Sequence, residues 1–175
     1  STAGRFYEGK DRVLYNYTSD CTKSWVYKST DEGKSWDPIV NISFPKESEF
    51  NLSSDGTLFT KNHNEAYYST DNGDSWTPFQ TSNWSSYKYL CGSSVDNIFV
   101  LVGSAVYRST SQGANWTKVI NNVNGTKMIF YQDPSTQFLY ICSENEIFQS
   151  KNLGMNWNSL FKDRFSGVEM PRMIS

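Results

Sequence analysis

The sequence predicts an all-β fold assembled from a repeated four-stranded unit, and three observations carry that reading. An eight-residue segment occurs four times: "STDEGKSW" at 29–36, "STDNGDSW" at 69–76, "STSQGANW" at 109–116 and "SKNLGMNW" at 150–157. The serines that open the copies are 40, 40 and 41 residues apart, and a fixed period of that size marks a repeat architecture. Short apolar and aromatic runs bounded by polar turn residues fill the intervals, a composition suited to strands. No window sustains a 3.6-residue apolar period, so essentially no helix is expected.

The elements follow by laying the four copies on one another. A first strand is read in "GRFYEG", "SEFNLS", "KYLCGS" and "KMIFYQ", and a second in "RVLYNY", "GTLFTK", "NIFVLV" and "QFLYIC". A third runs into each segment as "WVYKS", "AYYS", "AVYRS" and "EIFQS", and a fourth leaves it as "WDPIV", "WTPFQ", "WTKVI" and "WNSLF". Four-stranded units at this period are the blades of a β-propeller, so residues 1–175 are read as one domain of four blades. The eight residues then form the turn between third and fourth strands. Their fifth-place glycine supplies a positive-φ position. The serine and the third residue bond backbone amides to hold the turn, and the tryptophan packs between neighbouring sheets.

The frame Ser-x-Asp-x-Gly-x-x-Trp resembles the Asp-box, or BNR, repeat, over the whole chain through four copies. Ser29, Asp31, Gly33 and Trp36 match it fully, as do Ser69, Asp71, Gly73 and Trp76. The third copy, Ser109, Ser111, Gly113 and Trp116, and the fourth, Ser150, Asn152, Gly154 and Trp157, replace the Asp by residues that still accept hydrogen bonds. The resemblance implies a structural box lying away from the ligand. It points to sialidases, other glycoside hydrolases, sortilin-type receptors, a photosystem assembly factor and lectins. Propellers of this type usually have more than four blades. Three arrangements therefore stand open: a ring of four, a piece of a larger propeller, or two chains completing one ring.

Composition narrows the function. A net charge of −2 gives no electrostatic reason to bind nucleic acid. No apolar run approaches the roughly 20 residues of a membrane span, so no membrane insertion is expected. Three cysteines without zinc spacing and a single histidine argue against a metal site, and no cofactor is expected. Cys21 and Cys142 fall toward one face, and a bridge between them would report a closed ring of four. Sequons at Asn16, Asn41, Asn51, Asn83, Asn115 and Asn124 suggest a glycosylated protein that is secreted, lumenal or at the cell surface.

Catalysis finds little support. A sialidase would need three arginines, a Tyr–Glu nucleophile pair and an acid Asp. The five arginines do not assemble such a triad, and Arg108 precedes a box on a third strand. Sugar binding fits better, on loops facing away from the boxes. Trp84 and Tyr87 sit in a Ser/Asn-rich loop between blades, Trp25 closes the longest loop between second and third strands, and His63 and Glu65 occupy the equivalent loop of the second repeat. The expectation is a non-enzymatic extracellular recognition module that binds a glycan or glycoprotein. A fragment of an Asp-box glycoside hydrolase and a protein-binding propeller of the sortilin kind are the alternatives.

Overall fold

The computed structural model describes residues 4–20, 22–42, 49–61, 65–79, 89–123, 128–143 and 145–162. They form four antiparallel four-stranded sheets, each running in simple chain order. Blade 1 comprises β1 (Arg5–Glu8), β2 (Leu14–Ser19), β3 (Ser24–Ser29) and β4 (Asp37–Pro38). Blade 2 comprises β5 (Glu49–Leu52), β6 (Leu58–Lys61), β7 (Ala66–Ser69) and β8 (Thr77–Pro78). Blade 3 comprises β9 (Tyr89–Ser94), β10 (Asn97–Val102), β11 (Ala105–Ser109) and β12 (Thr117–Ile120). Blade 4 comprises β13 (Met128–Gln132), β14 (Leu139–Ser143), β15 (Glu146–Ser150) and β16 (Asn158–Lys162). The fold is thus an all-β propeller of four blades, as the repeat predicts. One turn of 3-10 helix at Lys10–Arg12 interrupts the strands.

Register is set by the repeat. Each box serine closes its third strand opposite one aliphatic residue of the second: Ser29 opposite Leu14, Ser69 opposite Leu58, Ser109 opposite Ile98 and Ser150 opposite Leu139. Second strands are buried on both faces in the middle of the array. All of β6 and nearly all of β10 is inaccessible, which is why they read as apolar runs rather than alternations. Outer strands are short and exposed. Pro38 and Pro78 sit in β4 and β8, where a residue without an N–H costs no ladder bond.

Apolar packing lies between blades. Val13, Tyr15, Val26 and Ile39 of blade 1 pack on Phe50 and Leu58 of blade 2. Phe59, Ala66 and Phe79 of blade 2 pack on Leu90, Ile98 and Val100 of blade 3. Phe99, Leu101, Val106 and Ile120 of blade 3 pack on Met128, Leu139, Ile141 and Phe148 of blade 4. Full burial of each such side chain contributes about 1.5–3 kcal/mol. In blades 2 to 4 the box tryptophan reaches backward: Trp76 joins the first cluster, Trp116 the second and Trp157 the third. Polar staples cross the same seams. Tyr15 Oη donates to Asn72 Oδ1 at 3.0 Å, Lys28 pairs with Asp74, and Asn41 Nδ2 donates to the carbonyls of Gly73, at 3.0 Å, and Asp74. Asn51 Nδ2 donates to the Leu90 carbonyl at 2.7 Å. Cys91 and Cys142 are free, buried thiols.

Candidate functional site

The boxes are turns closed by their own side chains. In the first, the Gly33 N–H donates to Ser29 Oγ at 2.8 Å, and Ser29 Oγ donates to Asp31 Oδ1 at 2.8 Å. The Ser35 N–H donates to Asp31 Oδ1 at 2.9 Å and its hydroxyl to Oδ2 at 2.7 Å. The Ser35 hydroxyl, then its amide, then the Ser29 hydroxyl hold the Asp31 carboxyl down at about 2. Box 2 repeats the pattern through Ser69, Asp71 and Ser75. The two departures from Asp keep the essential bond. The Asn115 N–H donates to Ser111 Oγ at 2.9 Å, and the Asn156 N–H to Asn152 Oδ1 at 2.9 Å. Fifth-place glycines take φ from +82° to +85°. The fourth residue, Glu32, Asn72, Gln112 or Leu153, is also left-handed. Sequence reasoning missed that second positive-φ position, because its residue types vary freely. The first- and third-place side chains of the box are engaged in closing the turn.

A depression of about 580 Å³ lies on the same side as the boxes. Turns between first and second strands build it: Ser54 and Asp55 from blade 2, Ser93, Ser94, Asp96 and Asn97 from blade 3, and Gln132, Pro134 and Gln137 from blade 4. Arg108 and Leu153 complete the wall. Arg108 is on the third strand, as its position before the box implies, but its guanidinium turns inward and Nε donates to Asn97 Oδ1 at 2.7 Å. Ser54 and Gln132 bond across the cavity from blade 2 to blade 4, Oγ to Oε1. Asp55 Oδ1 accepts from the Thr57 N–H at 3.0 Å and from Ser53 Oγ at 2.5 Å, so that carboxylate caps its own turn. The wall combines hydroxyl, amide, carboxylate and guanidinium groups with the apolar Pro134 and Leu153, and it carries no aromatic ring. This site was hidden because its residues come from three hairpins with no shared motif.

Of the residues that sequence reasoning favoured, Trp25 and Glu65 are described and lie on the opposite side. Trp84, Tyr87 and His63 fall outside the described residues, as do Asn83 and Asn124. Trp25 is half-buried on β3, with the Lys23 ammonium 5.0 Å above its ring. Glu65 is exposed just before β7. Glu49, at the start of β5 on this side, pairs with Lys61 across 3.6 Å. Burial pushes its carboxyl up to about 7 against the pull of Lys61. Of the sequon residues, Asn16 is half-buried on β2, Asn41 and Asn51 spend their amides on the seams described above, and Asn115 is exposed. No group of three or more His, Cys, Asp or Glu with metal-holding geometry occurs among the described residues. No helix among them is long and apolar enough to cross a membrane.

Comparison with known proteins places this architecture. The chain superposes on a Niastella koreensis GH74 enzyme with TM-score 0.60 at 21% identity, covering 88% of this chain and 23% of that one. It superposes on YCF48 bound to D1 peptide with TM-score 0.58 at 14% identity, covering 86% and 52%. The nidogen/laminin complex gives TM-score 0.62 at 11% identity, covering 90% and 64%. These likenesses are of fold, and the chain spans from about a quarter to under two thirds of those proteins' lengths. No curated protein sequence matches it. Residues 7–127 match the DUF6242 beta propeller domain, and the chain belongs to that family.

Proposed function

We propose that the chain is a non-enzymatic recognition module working outside the cytoplasm, that its four turns are Asp-boxes serving the scaffold, and that its ligand is a glycan. The observation that carries this reading is the depression on the box side. Its wall contains both donors and acceptors, which suits sugar hydroxyls that both give and take hydrogen bonds. Catalysis is disfavoured by the same wall. Asp55 is committed to its own turn, and Asp96 is exposed, unlike an acid catalyst held protonated by burial. The test is a broad glycan array probed with the unmodified chain. Binding that survives high salt and disappears in Ser94→Ala/Asp96→Ala supports the reading. An array without hits defeats it.

A second reading, a polypeptide ligand in the same depression, is favoured by two observations. The wall offers a guanidinium and carboxylates together, and it lacks the aromatic platform on which sugars stack. Two of the propellers with this fold were solved with a peptide or a protein partner. A peptide array run beside the glycan array separates the two.

A further inference from the structure

The three seams between blades use the same positions each time, and both outer faces of the array carry those positions uncovered. Consider the face each blade turns toward its predecessor. Phe50 of blade 2 and Leu90 of blade 3 are 3% and 1% exposed there, and Phe130 of blade 4 stacks on Phe99 at 5.4 Å. Register makes Phe6 their counterpart in blade 1, and Phe6 is 68% exposed. Leu14 is half-buried where Leu58, Ile98 and Leu139 are fully buried. The box glycines of blades 2, 3 and 4 are buried, whereas Gly33 is not and faces only Leu14 and Trp36 of its own blade. Trp157 reaches Phe99 of the blade before it, whereas Trp36 meets Phe6 of its own.

The other end shows the complementary face. Tyr15, Phe59 and Phe99 point forward and are wholly buried by the next blade, but their counterpart Tyr140 is half-buried. Val26, Ala66 and Val106 are covered likewise, whereas Ile147 is only half-buried. At the fourth strand Ile120 is 5% exposed and Phe161 is 40%. Both faces are apolar halves of a seam whose other half the chain itself displays three times.

We propose that each outer face is closed by a further four-stranded blade of the same repeat. The blade before blade 1 supplies a forward face, with an aromatic on its second strand and an aliphatic on its third. The blade after blade 4 supplies a rear face, with an aromatic or leucine on its first strand and a box bearing Gly and Trp. Continuity with the internal seams identifies the occupant. The propellers on which the chain superposes also extend beyond the portion it covers.

The test compares the 175-residue chain made alone with the natural polypeptide as its source produces it. Phe6→Cys and Ile147→Cys are each labelled with maleimide, with Val40→Cys, at an 81% exposed position, as the reference. Alone, the chain should sediment at the mass of one copy and label readily at both sites. In the natural polypeptide both sites should label about tenfold or more slowly than Val40→Cys. Hydrogen exchange over β1 and β15 of the unsubstituted proteins reads the same protection if a variant fails to fold. Equal labelling or exchange in the two preparations overturns the proposal. So does a chain that sediments alone at twice its mass with both sites protected, because a second copy is then the occupant.

Discussion

At the scale of single residues, the box glycines separate backbone strain from crowding. Gly33 takes φ +85°, and a methyl group there would meet nothing nearer than 3.7 Å. Gly154 takes φ +82°, and a methyl group would stand 2.3 Å from Phe99 of the preceding blade. Gly33→Ala is therefore expected to cost about 1–3 kcal/mol, from strain alone. Gly154→Ala adds overpacking and should cost about 2–5 kcal/mol. Chemical denaturation of the two variants checks the order, and the two costs come out equal if backbone strain alone governs. Glu49 makes a second residue-scale prediction. Its carboxyl holds a proton up to about pH 7 when folded, against a usual 4.5. Between those values the folded state binds more protons than the unfolded one, so this residue makes stability fall as pH rises from about 4.5 through about 7. Glu49→Gln should flatten that slope in denaturation curves taken at pH 5 and pH 8.

At the scale of the element, the box turn explains why its third residue varies. One acceptor oxygen on the seventh residue's N–H is what the turn needs, and Asp, Ser and Asn each provide it. Asp71→Ala should cost about 1–2 kcal/mol by thermal unfolding, and Ser111→Asp should change little. Asp31 gives the turn an acid limit. Its carboxyl is held at about 2 by Ser35 and Ser29, so its contribution is present above about pH 4 and lost as pH falls toward 2. The sequons yield an element-scale expectation as well. A glycan at Asn51 would break the donation to the Leu90 carbonyl, whereas Asn115 is exposed on a turn. Mass spectrometry after enzymatic deglycosylation should find Asn115 modified and Asn51 bare.

The strands were legible because each repeat states them again. A single run such as "AYYS" is ambiguous, but four runs in phase before Gly-x-x-Trp are not. The prolines of β4 and β8 fit for the same reason, since the repeat places them on outer strands. The depression was not legible. Arg108 follows a tyrosine and precedes a box, like Lys28, and nothing local shows that its guanidinium turns inward onto Asn97. Asp96 and Gln137 belong to hairpins of unequal length and sequence, which fall outside the period. Aromatic residues such as Trp84 and Tyr87 are conspicuous in the sequence, whereas the common residues that line the depression are not.

At the scale of the whole molecule, the blades form a frame whose seams hold the apolar side chains, and turns of blades 2, 3 and 4 on the box side converge on one depression. The proposed recognition site is made of those turns. Calorimetric titration of an array-selected ligand tests this most directly, with Ser94→Ala/Asp96→Ala, Gln137→Ala and Trp84→Ala run beside the unmodified chain. The account predicts at least about tenfold weaker binding for the two depression variants, equivalent to about 1.4 kcal/mol, and unchanged affinity for Trp84→Ala. Loss of binding in Trp84→Ala with the depression variants unaffected would contradict it.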